Sequence, residues 1–204
     1  MKPRICLVIV IGLLAGLHPA TAQVSFAPVV NYSVSQIATL TAADINGDGK
    51  LDLITANFGS GSGNTLTVLT NNGSGSFGSN TTYTVGAGPI SVVAADVNGD
   101  GKLDLITANI VNVNTGTLTV LTNNGNGGFG FNATYTLGVG PTCVIAADVK
   151  GDGKVDLITA NQGYNTLTLL TNNGSGVFGS NATYTVDTEP FSVTAADVNG
   201  DGKL

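Results

Sequence analysis

The chain has 204 residues, with Lys+Arg 7, Asp+Glu 13, one His, two Cys, no Trp and 29 Gly. Only 10% of residues are charged while 42% are hydrophobic, which supplies enough apolar surface for a packed core and excludes a disordered chain. The net charge of -6 excludes a nucleic-acid partner, because no basic patch is present to neutralise phosphates.

The chain opens with Lys2 and Arg4, followed by an apolar run from Ile5 to Leu17 and by Ala20-Thr21-Ala22. A basic start, a short apolar stretch and an A-x-A site predict a Sec signal peptide over 1–22, too short to span a bilayer. The remainder, 23–204, is expected to be secreted or held at the cell surface, with no transmembrane segment. It keeps five lysines, no Arg, no His and all 13 acids, a net charge of -8. Cys143 is then the one cysteine left, which excludes a disulfide within the chain and reads as a small buried hydrophobe. Without His as a base or Arg as an anion clamp, this stretch is expected not to be an enzyme.

Three markers repeat in fixed phase along 23–204. Asp44-Ile-Asn-Gly-Asp-Gly-Lys-Leu-Asp52 recurs from Asp96, Asp148 and Asp197, at spacings of 52, 52 and 49 residues. Asn-Gly-x-Gly-x-Phe-Gly recurs with its Phe at 77, 129 and 178, and Tyr-Thr follows that Phe by six residues at Tyr83, Tyr135 and Tyr184. Between the markers lie short β-branched runs bounded by Gly/Asn turns, and no stretch has helical periodicity. In the second repeat the runs are Ser91–Ala95, Leu103–Ala108, Thr117–Thr122 and about Phe129–Leu137.

The first two runs are almost wholly apolar and the fourth is Thr-rich, a gradient from a covered to an exposed edge. The prediction is an all-β chain of four-stranded blades in a β-propeller, with small Ala residues nearest the axis. A stacked β-solenoid is the rival, though its repeat is usually shorter. Three blades are expected at about 36–86, 88–138 and 140–187, with a partial blade over 189–204. Phe26 and Tyr32 repeat the six-residue spacing, so 24–34 is expected to be an outer strand that closes the ring. The last residue, Leu204, falls one short of the ninth position of the fourth acidic loop, which reads as a fragment.

Eleven of the 13 acids lie in the four loops; Asp187 and Glu189 do not, and they read as a solvated turn. Carboxylates at positions 1, 5 and 9 repel unless a cation intervenes. All-oxygen ligands, with Gly at position 6 and a backbone carbonyl at position 7, suit Ca²⁺ better than Mg²⁺ or a soft metal. The start resembles an EF-hand, but position 12 is Thr55, Thr107 and Thr159 where that loop needs Glu, and the flanks are strands. Dockerin modules fail on the same grounds. Position 9 is left to close the site.

D-x-N-G-D-G-K-x-D-L between strands, with N-G-x-G-x-F downstream, resembles the bacterial FG-GAP/VCBS repeat family, whose calcium loop also occurs in integrin α-subunit propellers. The resemblance implies a propeller, often seven-bladed, with structural Ca²⁺ in the loops between the first two strands of its blades. Its implied ligands are Asp44, Asn46, Asp48, the Lys50 carbonyl and Asp52 in the first loop. In the second they are Asp96, Asn98, Asp100, the Lys102 carbonyl and Asp104. The third keeps Asp148, Asp152, the Lys154 carbonyl and Asp156, but Lys150 stands where Asn is expected. Weaker binding there, or an ammonium partly standing in for Ca²⁺, follows. The fourth keeps Asp197, Asn199, Asp201 and the Lys203 carbonyl. Thr55-Ala56-Asn57 replaces the integrin-type Gly-Ala-Pro.

Beside a purely structural surface-layer or biofilm repeat, which shares every feature of the first, two functions remain in view. One is a secreted, calcium-stabilised module for binding or adhesion, with a carbohydrate or protein as its extracellular ligand. The other is the non-catalytic propeller of a secreted polysaccharide lyase or hydrolase whose catalytic region lies elsewhere. The repeated Tyr is expected to pack rather than to bind sugar.

Overall fold

The computed structural model describes residues 30–34, 36–112, 115–137 and 140–204. Contacts divide the chain into two units, Met1–Ser33 and Val34–Leu204. The signal peptide expected over 1–22 lies outside the described residues. So does the expected closing strand up to residue 29; residues 30–34 carry no strand.

In the second unit the β-branched runs form twelve strands. The first sheet contains β1 (Ile37–Ala43), β2 (Asp52–Asn57), β3 (Thr65–Asn71) and β4 (Phe77–Thr84). The second contains β5 (Pro89–Ala95), β6 (Asp104–Asn112), β7 (Thr115–Asn123) and β8 (Phe129–Thr136). The third contains β9 (Pro141–Ala147), β10 (Asp156–Asn161), β11 (Thr166–Asn172) and β12 (Phe178–Thr185). Each sheet is an antiparallel meander with its strands in chain order. Consecutive sheets meet through their first strands, β1 on β5 and β5 on β9, with β2 on β5 and β6 on β9. The Val144 amide donates to Ser91 Oγ at 3.2 Å across the second of these junctions. These are successive blades of a β-propeller.

Alternation along the second strand assigns residues to the two junctions. Leu105 packs in the core between blades one and two, with Ile45, Ile54, Leu66, Val68 and Leu121. Its neighbour Ile106 packs in the core between blades two and three, with Val97, Leu118, Val120, Val144 and Leu157. The second strand is therefore covered on both faces, and all six residues of β2 are buried.

The Phe and Tyr markers lock one blade to the next. The Tyr83 ring meets Phe129 edge-on at 5.3 Å, and Tyr135 meets Phe178 at 5.7 Å. The Tyr83 hydroxyl donates to the Gly127 carbonyl at 3.1 Å. That of Tyr135 donates to the Gly176 carbonyl at 3.3 Å and accepts the Phe178 amide at 3.1 Å. Phe129 and Tyr135 thus serve opposite junctions from one strand, although an even spacing on a regular strand keeps two side chains on one face. A bulge resolves this. Val120 pairs with Ala133 and Leu121 with Phe131, so residue 132 is an extra residue that reverses the facing.

The spacing of 49 in the third repeat has a local origin. Seven residues, 58–64, join β2 to β3, whereas four, 162–165, join β10 to β11. The difference lies at the end of the blade remote from the acidic loops. At that end the chain steps between blades through Gly88, which has φ +64 and whose added Cβ would collide with the Ile110 carbonyl oxygen. Over 189–204 the fourth repeat has no strand. In the three blades the first strand pairs with a strand that opens at the loop's ninth position.

Tyr135→Ala is expected to lower stability by about 3–5 kcal/mol through the lost ring and the cavity. Tyr135→Phe should cost about 1–3 kcal/mol by leaving the Phe178 amide unpaired. Tyr184, 55% exposed, is the internal control, and its truncation should cost clearly less. Urea unfolding of the three variants measures the order; equal losses at Tyr135 and Tyr184 would refute the interlock.

Candidate metal centre

Each acidic loop joins the first strand of a blade to the second, and its conformation is dictated locally. Asp44 Oδ1 accepts the amides of Gly47 at 2.8 Å and Asp48 at 3.1 Å, while Oδ2 accepts that of Gly49 at 2.7 Å. Asn46 Oδ1 accepts the Asp48 amide and Asp48 Oδ1 the Lys50 amide, both at 3.0 Å. These are nested Asx turns, which short polar side chains form with the backbone that follows them. Gly47 and Gly49, at φ +74 and +80, let the chain curl round the first carboxylate.

The second loop repeats the pattern through Asp96, Asn98 and Asp100, with Gly99, Asp100 and Gly101 donating to Asp96 at 2.7, 3.2 and 2.8 Å. In the fourth, Gly200, Asp201 and Gly202 donate to Asp197 at 2.7, 3.2 and 2.7 Å. Asn199 and Asp201 accept the Asp201 and Lys203 amides. The fourth loop does this without a second strand beside it.

Position 9 differs in kind. Asp52, Asp104 and Asp156 open the second strands and are fully buried. Asp104 Oδ2 accepts the Val97 amide at 3.1 Å and Oδ1 the Asn123 amide at 2.9 Å. Asp52 does the same with Ile45 at 3.3 Å and Asn71 at 2.8 Å. One carboxylate thus ties the loop's second residue to the end of the third strand. That second residue, Ile45 or Val97, is itself buried in the inter-blade core.

The asparagine at the third strand's end carries the tie into the next blade. Asn123 Nδ2 donates to Leu103 in its own blade at 2.9 Å and to the Ile45 carbonyl in the preceding blade's loop at 2.7 Å. Asn172 donates likewise to Val155 at 2.9 Å and Val97 at 2.7 Å. In loops one and two the position-9 Asp ties the loop's second residue to its own blade, and the next blade's Asn reaches that residue's carbonyl. Sequence reasoning missed Asn71, Asn123 and Asn172. The signal was present, since each directly precedes the repeated Asn-Gly marker.

The position-7 lysines lie outside the curl. An added Cβ on Gly73 or Gly125 would meet Cε of Lys50 or Lys102 at 2.7 Å, so each stem lies across the turn between third and fourth strands. Their ammonium groups reach the position-5 carboxylates, Lys50 to Asp48 at 3.3 Å and Lys102 to Asp100 at 3.7 Å. Desolvation pushes the Asp48 carboxyl up, but hydrogen bonds from the Lys50 amide and ammonium outweigh it and hold the group below its usual value. Asp197 is held low chiefly by the Gly202 amide. Asp104 is pushed up, first by burial and further by the charges of Asp100 and Asp96.

In the third loop Lys150 Nζ stands 2.9 Å from Asp152 Oδ2 and 3.9 Å from Asp156 Oδ1. Asp152 is held low, foremost by its hydrogen bond from Lys150. Lys150 is in turn held protonated by Asp152 first, with the charges of Asp156 and Asp148 adding to it.

The donors of loops one and two fit a hard cation: carboxylates, an amide oxygen and a backbone carbonyl, with the carboxylates of loop two acting on one another. Among the described residues no group of three or more acidic, His or Cys side chains is drawn together as a finished cage. Many of the carboxylate oxygens are occupied by backbone amides. Asp187 and Glu189 are exposed at the opposite end of the blade from the loops. Glu189 takes the left-handed position that Gly88 holds in the step between blades one and two, with φ 54 and its amide bonded to Asn165 Oδ1 at 2.8 Å.

Asn123→Ala is expected to cost about 2–4 kcal/mol, because it leaves the buried Ile45 carbonyl without its donor. Asn71→Ala, which removes the bond to Leu51 in its own blade, should cost less; chemical denaturation of both variants checks the difference. Among known proteins, no curated protein matches the chain. The family model for the FG-GAP-like repeat matches residues 44–107, 108–159 and 148–204. Its first unit runs from the acidic loop of blade one to the second strand of blade two, so it spans the junction that Asp52 and Asn123 tie together. This chain belongs to the FG-GAP-like repeat family.

Proposed function

We propose that this chain is a secreted binding or adhesion module whose blades are stiffened by Ca²⁺ in the acidic loops. The observation that carries the reading is the second loop, where the chain curls round Asp96 through Asn98 and Asp100 and closes on the fully buried Asp104, whose carboxyl is pushed up first by burial and further by the charges of Asp100 and Asp96. A divalent cation relieves that repulsion, and hard oxygen donors favour Ca²⁺. Asp44, Asn46, Asp48, the Lys50 carbonyl and Asp52 would hold one ion. Asp96, Asn98, Asp100, the Lys102 carbonyl and Asp104 would hold a second. Asp197, Asn199, Asp201 and the Lys203 carbonyl form the matching part of the fourth loop. The ion supplies charge neutralisation and loop rigidity, and the chain does the rest through Asp104 and Asn172.

The signal-like N-terminus supports export, to a compartment where calcium sites work at about 10⁻⁴–10⁻³ M. The partner surface we propose is the end of the blades away from the loops. There Thr142, Gln162, Asn165, Thr188 and Glu189 line a cleft of about 510 Å³ between blades two and three. Its hydroxyl, amide and carboxylate groups suit a carbohydrate or a polar protein segment. The reading as the propeller of a larger carbohydrate-active enzyme has no observation in its favour here.

Thermal unfolding with calcium and with chelator tests the metal. Free Ca²⁺ at a hundred times Kd should add about 2.7 kcal/mol per site. An identical Tm in both conditions would reject calcium as a structural ion.

A further inference from the structure

We propose that Lys150 is the resident cation of the third loop, so that this loop stays folded without metal and takes none. Only the calcium arm of the test rests on the reading of loops one and two as Ca²⁺ sites. The first ground is placement. Lys150 occupies position 3, where the other loops carry an asparagine oxygen, and its ammonium lies 2.9 Å from Asp152 Oδ2. In loops one and two the position-5 carboxylate is paired instead by the position-7 lysine, at 3.3 and 3.7 Å. The position-5 acid has therefore changed partners, from a lysine outside the curl to one projecting from within the loop.

The second ground is the buried acid. Asp52 and Asp104 each receive an amide on both oxygens. Asp156 is equally buried, but only its Oδ1 is bonded, to the Asn172 amide at 2.9 Å, and Oδ2 has no hydrogen-bond partner. A fully buried carboxylate with half its acceptors idle needs a compensating charge. Lys150 Nζ, 3.9 Å from Asp156 Oδ1, supplies it. A divalent ion would have to displace this ammonium or accept it as a neighbour. Either is opposed by like-charge repulsion, and the loop has lost a ligand oxygen as well. The chain then carries two kinds of acidic loop: calcium-responsive ones in blades one and two, and a constitutive one in blade three.

The test has two arms on the intact chain. In chelator, Lys150→Met should lower the Tm by several degrees, while Lys150→Arg, which keeps the charge, should stay near the natural chain. An unchanged Tm for Lys150→Met, or equal losses for Met and Arg, overturns the proposal. In the second arm, calcium is titrated while the position-6 glycine amides are followed by NMR. Gly49 and Gly101 should shift and Gly153 should not; in Lys150→Asn, Gly153 should join them. A Gly153 shift in the natural chain with the midpoint of Gly49 overturns the proposal. Should no glycine respond to calcium, the metal reading of loops one and two falls, and the chelator arm alone decides the role of Lys150.

Discussion

A fully buried aspartate stands at the root of each second strand, and in blades one and two it holds the blade and its loop together. Asp104 faces two backbone amides, one from its own loop and one from the far end of the third strand, and satisfies both. A charged group pays for burial with hydrogen bonds or a counter-charge. Here the amides meet part of that requirement, and a cation bound in the loop would meet the remainder. The loop is therefore a covered rim of the core, and its charge state is felt at the strand ends.

That rim is continuous from blade to blade. Ile45 and Val97 place their side chains in the inter-blade cores and offer their carbonyls to Asn123 and Asn172 of the next blade. On the outer strands, Tyr83 and Tyr135 reach over to Phe129 and Phe178. Each junction is thus clamped near the acidic loops by an amide and at the outer strand by an aromatic pair, with aliphatic residues between. Tightening a loop with a cation would act on the junction through the same residue that carries the carbonyl and the buried side chain. The opposite end of the blades, where connections vary in length and Glu189 replaces a glycine, is free of this constraint. Variation there leaves the cores and clamps untouched.

The strands were legible because β-branched runs between Gly/Asn turns allow few alternatives, and those expected for the second blade agree with the observed ones to within a few residues. The internal geometry of the loops was legible for a related reason. The turns around Asp197 form beside no second strand, so they need only the residues from Asp197 to Lys203. The packing role of the repeated tyrosine was also visible, through its fixed phase with Phe. Asn71, Asn123 and Asn172 were passed over because an Asn before Asn-Gly reads as more turn, and nothing local says that its amide will meet a carbonyl 78 residues away.

By itself the sequence determined the period, the strand order, the curl of each acidic loop and the oddity of Lys150, all of which depend on neighbours within one repeat. Only the tertiary structure decided which face each aromatic serves. The even spacing from Phe129 to Tyr135 points both the same way until an extra residue at 132 turns one of them round. It also decided that position 9 is buried and bound to amides, since that depends on a third strand arriving from 19 residues downstream. Local turns are settled by short-range hydrogen bonds; the facing of a side chain and the burial of a charge are settled by what packs against them.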